Sequence, residues 1–547
     1  MANYFKNYVL QSLGLGLALS LGLAGLAKGE IPTSSPSAPP VIDSPVVVPP
    51  VVVPPTGPNP VNLVPLDDVT QPNPINLSPL TPGGRTITIK SPTFIGTPNQ
   101  VIEQIETYQS APYANFLGLN FYGELTSADQ ISQTLQKLAK KTGTNPALVY
   151  VLSTDKGLKL VLVLPAETAA PNSAILPSSG VRVASTQPWN LLAQAQPSNS
   201  QPKNAGRPTL LTFAVPEATS SVLKRAVRTF RNQISDPQKT NSTSYQASAK
   251  QLDDWMIVPL RPTLEERKID TLIFSLDKGL RSMPIAALYD GKQFLVEQYN
   301  LALIPSFSLT DTRFQEIRGT KMLGLGISQS AGGLPPLPSV SVEVPTLTEK
   351  IWQGTGYLNQ QVTLEQFQSL AQREQFSIIH LATHAEFNSG DLNESFIQLW
   401  NGKLTLSSLR KIALNQKWNT TPTLEMLVLS ACQTALGSDQ AELGFTGLAV
   451  QTGVKTAVGS LWSVSDEGTL GLMSEFYRNL KTAPIRAAAL RNAQISLLRG
   501  QVTVTKGRLQ FPDGSKVDLP ASDARQETIN LTHPYYWAPY TVVGNWN

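Results

Sequence analysis

"SIIHLATHAEF", residues 377–387, carries two of the three histidines in a chain of 547 residues. The run "FSIIHLA" is a short, nearly continuous apolar stretch, the pattern of a buried strand. His380 and His384 are four apart, so they share one face only if the segment is helical. A helical zinc pair of this spacing needs Glu beside the first His, whereas Leu381 and Ala382 fill the interval and no third ligand accompanies them. No metal site is expected. On a strand, His380 falls inside the apolar run and reads as a hydrogen-bonded core residue. His384 falls past the run, ahead of "AEFNSGD". In open parallel sheets ligands bind outside the carboxyl ends of the strands, so His384 stands where chemistry is expected and is placed in a loop.

A second run, "EMLVLSACQTALG" (425–437), ends on Cys432, the only cysteine of the chain. A thiol is mostly protonated at neutral pH, and an adjacent imidazole converts it to a nucleophilic thiolate. The competing reading is a buried cysteine packed as a small hydrophobe. If the two runs are neighbouring parallel strands, His384 and Cys432 reach the same end of a sheet. Five further runs, "TLIFSLD", "LALIPS", "MLGLGIS", "TAVGSLW" and "TVVGN", have the same character, with helical stretches between them. That alternation predicts an α/β fold with a mostly parallel central sheet and helices on both faces. Further upstream, "SADQISQTLQKLAKKTG" has helical spacing with Ser127 or Asp129 as cap, and "ALVYVLS" and "LKLVLVLP" flank a turn. A second helix is expected over 216–234. No repeat of 20–50 residues is present.

Forty-eight residues separate His384 from Cys432, and caspases carry their histidine about 50 residues upstream of a Gln-Ala-Cys-x-Gly cysteine. Here Ser430-Ala431-Cys432-Gln433 stands in that place, and the chain resembles the CHAT family. Those are caspase-like proteins of the clan that also holds metacaspases and separases. The resemblance extends to "DTLIFSLDKGLRSMPIAALYDGKQFLVEQYNLALIPSFSL", to "LGFTGLAVQTGVKTAVGSLWSVSDEGTLGLMSEFYRNL" and to the closing "HPYYWAPYTVVGN". It implies a caspase-like three-layer fold and a cysteine endopeptidase without metal or cofactor, acting on protein or peptide substrates. His384 would be the general base and Cys432 the nucleophile. The backbone N–H groups of Ala385 and Cys432 would form the oxyanion hole. Glycine more commonly follows the histidine; where that position requires φ > 0, an alanine costs about 1 kcal/mol. "SLWSVSDEGT" resembles the separase stretch in which an acidic residue meets an arginine, which makes Asp466 a substrate-binding candidate. Alternatively Asp466 caps a helix beginning near Gly468. A catalytically silent caspase-like scaffold and a thioesterase or acyl transferase using the same dyad are the other functions such a chain could serve.

The rest of the chain bounds this reading. Charged residues are 15%, net charge is +4, and no dense basic run argues for nucleic acid. A single cysteine excludes an internal disulfide. Residues 1–27 have a basic n-region at Lys6, an apolar stretch and a small-residue site at Gly25-Leu26-Ala27, the layout of a secretory signal peptide. The expectation is export, to the periplasm or beyond. The alternative keeps residues 9–27 as an inner-membrane anchor with the domain outside the cytoplasm. Much of the chain's 43 prolines falls in the following stretch, and residues 28–96 read as an extended, disordered tether. An N-terminal α/β part is expected over 97–245, with a disordered Ser/Pro/Ala-rich insertion at 166–206, and the peptidase domain over 246–547. "GLGIS" (324–328) mimics part of a phosphate loop but lacks its later glycine and lysine. No Gly-x-Ser-x-Gly elbow exists, which disfavours a serine hydrolase.

Overall fold

The computed structural model describes residues 76–79, 91–117, 119–122, 125–167, 183–184, 209–373, 376–388, 393–418, 424–434, 447–522 and 528–547. The expected signal peptide and most of the tether and the insertion lie outside them. Within the expected tether, Asn76–Pro79 forms a strand paired antiparallel with Leu119–Tyr122. No described helix is long and apolar enough to cross a membrane.

The elements that build the main sheet are β1 (Pro146–Thr154), β2 (Gly157–Val163), β3 (Leu210–Val215), β4 (Thr271–Leu276), β5 (Asn300–Leu303), β6 (Met322–Gly326), β7 (Gly354–Leu358), β8 (Ile378–Phe387), β9 (Phe396–Leu399), β10 (Gly402–Thr405), β11 (Met426–Thr434), β12 (Thr456–Ser460) and β13 (Tyr540–Gly544). Their order across the sheet is β7-β6-β8-β11-β12-β13-β5-β4-β1-β2-β3, with the two-residue strand Val183–Ala184 beyond β3. The hairpin of β9 and β10 attaches to the upper part of β8.

Two parallel blocks meet in this sheet. Strands β7, β6, β8, β11 and β12 all run one way. Strand β13 is antiparallel to β12 and parallel to β5, which continues in parallel to β4 and β1. The carboxyl ends of the two blocks therefore lie at opposite ends of the sheet. Parallel strands must be covered on both faces, and β4, β12 and β13 are buried at every position. The seven apolar runs in "TLIFSLD", "LALIPS", "MLGLGIS", "FSIIHLA", "EMLVLSA", "TAVGSLW" and "TVVGN" all contain strands of this sheet.

The helices follow their sequence signals. Helix α1 (Ala128–Thr142) opens on a capping box in which Ser127 accepts from Gln130 N, and closes on Gly143 at φ 72°; Asp129 lies inside the first turn. Helix α2 (Ser220–Ile234) buries Leu223, Val227, Phe230 and Ile234 on one stripe. Helix α3 (Val340–Pro345) continues into one π-helical turn, Thr346–Ile351. Helix α4 (Asp466–Leu480) is buried along nearly its whole length, and α5 (Arg486–Leu498) packs beside it.

The glycines of "GLGIS" now have a packing reason. A Cβ on Gly326 would lie 2.5 Å from Val340 Cγ1, and one on Gly324 2.7 Å from Thr348 Cγ2. Strand β6 carries them because α3 and its π turn press directly on its backbone. No phosphate loop is built there.

At the amino ends of β11 and β12 a charged network is buried. Glu425 takes Lys455 Nζ and Arg486 Nη2, each at 2.8 Å, while Arg486 Nη1 donates to Thr456 Oγ1 at 2.7 Å. Such a network holds only while both cations keep the carboxylate, since removal of one partner leaves uncompensated buried charge. Glu425→Ala is expected to destabilise the fold by about 3–5 kcal/mol, with Glu425→Gln intermediate, read as a lower urea midpoint. An unchanged midpoint in both variants would show that the network contributes nothing net.

Candidate active site

Two of the expected positions are neighbours in the β8–β11 ladder. Its register pairs Ile378 with Met426 through Leu381 with Leu429, then shifts at an irregularity between Leu381 and His384. Beyond the shift His384 pairs with Ala431 and Ala385 with Cys432. The backbone of Cys432 thus stands one residue past the partner of His384, at the carboxyl ends of two adjacent parallel strands. Both residues lie inside strands, where the sequence had placed His384 in a loop and Cys432 just after a strand. The ladder runs on past the apolar runs because β9 pairs with the far end of β8 and keeps it extended. Residues 435–446, after Cys432, lie outside the described residues.

His384 is half-buried, and its Nε2 lies 2.9 Å from the carbonyl oxygen of Pro335. A carbonyl only accepts, so Nε2 carries a proton and donates it; in the neutral ring Nδ1 is then the basic nitrogen. Pro335 is the contact that the sequence did not reveal. It sits in the hairpin 328–337 that follows β6, closed by Leu337 N to Ser328 O at 3.1 Å and by Leu334 N to Ala331 O at 3.0 Å. Gly332 and Gly333, at φ 59° and 78°, form the two central residues of that tight turn, which requires a left-handed backbone at both. Asn359 Oδ1 anchors the start of the hairpin by accepting from Ser328 N at 2.9 Å and Gln329 N at 3.1 Å.

Ala385, the second expected oxyanion-hole position, is buried in extended strand backbone and is not among the positive-φ residues. An alanine there carries no left-handed penalty. Asp466 is the first residue of α4 and is half-buried. The cap of that helix is Ser465, whose side chain accepts from Gly468 N at 3.2 Å; the helix begins two residues earlier than expected. Asp466 Oδ2 accepts from Ser339 N at 3.3 Å. His384 and Asp466 therefore touch one short segment, residues 335–339, and four residues of chain span at most about 14 Å.

His380 is kept apart. It is fully buried, with Nδ1 3.1 Å from the Tyr477 hydroxyl and Nε2 3.0 Å from Glu343 Oε1. Burial, and then the charge of Glu343, pushes the Tyr477 phenol well above its usual range. Tyr477 therefore keeps its proton and donates to Nδ1, which leaves Nε2–H to donate to the carboxylate. The triad ties β8 to α3 and α4 and exposes nothing. Among the described residues no group of three or more His, Cys, Asp or Glu side chains is arranged to hold a metal ion.

Residues 246–545 match the CHAT domain, more than half of the chain. The chain belongs to the CHAT domain family. No curated protein matches it in sequence. Among solved structures, two of the Saccharomyces cerevisiae separase–securin complex are similar to this CHAT chain. One has 10% identity and a TM-score of 0.42, covering 81% of this chain and 34% of that one. The other has 9% identity and a TM-score of 0.43, covering 81% and 33%. This chain spans about a third of the length of the separase chains it matches. The Arg specific cysteine proteinase gingipain R is also similar, with 9% identity and a TM-score of 0.30 over 59% of this chain and 74% of that one.

The Asn359 anchor can be tested on its own. Asn359 has φ 52°, so Asn359→Gly removes the side chain without straining the backbone. Amide exchange at Ser328 and Gln329 is expected to quicken about tenfold or more, as loss of two hydrogen bonds implies. Unchanged exchange at both amides would mean that other contacts hold the hairpin.

Proposed function

We propose that this CHAT protein is a cysteine endopeptidase in which Cys432 is the nucleophile and His384 the general base. The observation that carries the reading is the parallel register that sets Ala385 beside Cys432, combined with the Pro335 carbonyl that fixes the ring of His384. Nucleophile, base and an orienting third group are the parts such chemistry needs. Nδ1 of His384 takes the thiol proton and the thiolate attacks the scissile carbonyl carbon. The oxyanion of the tetrahedral adduct is held by the N–H groups of Ala385 and Cys432. The imidazolium then returns its proton to the leaving amine, and the C–N bond breaks to give a thioester. Water, deprotonated by His384, attacks that thioester and releases the carboxylate product and the thiol.

Cys432→Ala and His384→Ala are each expected to abolish covalent labelling by a peptidyl electrophile, since removal of either dyad member costs about as much as removal of both. His380→Gln, with the fold intact by circular dichroism, should retain most of it. Loss of labelling in His380→Gln together with its survival in His384→Ala would reverse the assignment of the two histidines. A parent chain that is never labelled would favour a caspase-like scaffold that binds protein partners.

Asp466 is the proposed determinant of cleavage after basic residues. It shares the segment 335–339 with His384 and is half-buried, and a partly dry carboxylate holds a guanidinium bidentately and more strongly than an exposed pair does. Its position also suits the positive end of α4, an effect of about 0.3–1 kcal/mol. A positional peptide library run on Asp466→Ala beside the parent separates the two roles. Loss of the Arg/Lys preference in the variant is the expected result; identical profiles would leave Asp466 as a helix-terminus residue only.

A further inference from the structure

Near His384 lies a buried side-chain oxygen that no hydrogen bond of the fold uses. Gln398, on β9, is 2% exposed. Its Nε2 donates to Leu399 O at 2.7 Å and Gly402 O at 3.1 Å, which fixes the orientation of the amide. Its Oε1 is buried without a hydrogen-bond partner. The antiparallel register pairs Ala385 with Ile397 and Glu386 with Phe396; continued by one residue, it places Gln398 across from His384. Thr383 Oγ1 donates to Gln398 O at 2.8 Å, so the two strands are still adjacent at that residue. Residues directly opposite in an antiparallel pair share one face of the sheet. By that register Gln398 and His384 occupy neighbouring strands on one face.

What covers the amide is the tip of the hairpin that also carries Pro335. A Cβ on Gly332 would lie 2.6 Å from Gln398 Oε1, whereas one on Gly333 would meet nothing within 4 Å. Only a glycine at 332 lets the tip lie flat on the amide. The outer surface of the tip faces solvent. Its own hydrogen bonds, Ser330 Oγ to Leu334 O at 2.7 Å and Leu334 N to Ala331 O, are internal to it, so it can lift as a unit without breaking them. A buried acceptor left unpaired is unfavourable, and that penalty is recovered when a donor reaches it.

We infer that Gln398 Oε1 is a docking acceptor for a main-chain N–H of the bound polypeptide, reached when the tip, Gly332 and Gly333, lifts from it. This rests on the peptidase reading above and extends it to a residue that holds substrate next to the base. The acceptor recognises backbone, so it contributes to the binding of any extended peptide regardless of side chain.

The test uses the full chain and two reagents at Cys432: iodoacetamide, which reads the thiolate alone, and an arginine-terminated peptidyl acyloxymethyl ketone, whose saturation constant reads peptide binding. Gln398→Met keeps the volume and removes the acceptor. It is expected to raise the saturation constant about tenfold, as loss of one good hydrogen bond implies, with the iodoacetamide rate within about twofold of the parent. Gly332→Ala and Gly333→Ala both strain a left-handed backbone, but only the first displaces the tip. The first is expected to lower the saturation constant relative to the second and to quicken amide exchange over 331–334. An unchanged saturation constant in Gln398→Met, or an equal fall in both rates, overturns the role of Gln398 alone. A parent chain that reacts with neither reagent, or only with iodoacetamide, overturns the peptidase reading and the docking role with it.

Discussion

The parallel ladder between β8 and β11 is the constraint on which the candidate site depends. Strand side chains alternate with period two, so a slip of one residue turns every side chain to the opposite face of the sheet. The lower ladder is held in register by Ile378, Ile379 and Leu381 against Met426, Leu427 and Leu429, all buried. Both faces of that pairing are buried, so it cannot shift by one residue without repacking the core on both sides of the sheet. The irregularity after Leu381 then resets the upper ladder, and His384, Ala385 and Cys432 are delivered together. Burial at one end of the strands thus positions the candidate residues at the other.

A single stretch of chain, from the hairpin after β6 through α3, touches every histidine-bearing position of β8. Pro335 O takes the Nε2 proton of His384, Ser339 N binds Asp466, and Glu343 binds His380. Glycine at 324 and 326 lets α3 approach β6 closely enough for this. Helix α4 joins the same arrangement, with Asp466 at its start and Tyr477 further along. The buried His380 triad has no chemical outlet, and its hydrogen bonds satisfy groups that would otherwise be unpaired in the core. By tying β8, α3 and α4 together it fixes the base of the hairpin that orients His384.

Much of this was legible in the sequence because it rests on periodicity. Continuous apolar runs gave the buried strands, and the helical spacing of "SADQISQTLQKLAKKTG" marked α1. His380 as a core residue and His384 as the outlying one also followed from where the apolar run stopped. Strand ends were misjudged at His384 and Cys432 since pairing with β9 extends β8 beyond its apolar part. A hairpin partner is a tertiary fact that local composition does not carry. The start of α4 was misjudged for a different reason: Ser465 and Asp466 are both good cap residues, and only the backbone shows which of them caps.

The sequence by itself determined the α/β class, the family and the pair of residues on which a cysteine peptidase reading rests. The class follows from residue types and spacings within single runs, and the family and the pair from the resemblance that several such runs carry together. Only the tertiary structure decided that two parallel blocks run in opposite directions within one sheet, that Pro335 rather than a side chain orients His384, and that Gln398 lies beside it with an unused oxygen. A backbone carbonyl has no residue-type signature, and every one of the twenty residues carries one. Which carbonyl meets a given histidine is fixed by how loops pack across distant strands, and no local pattern records that.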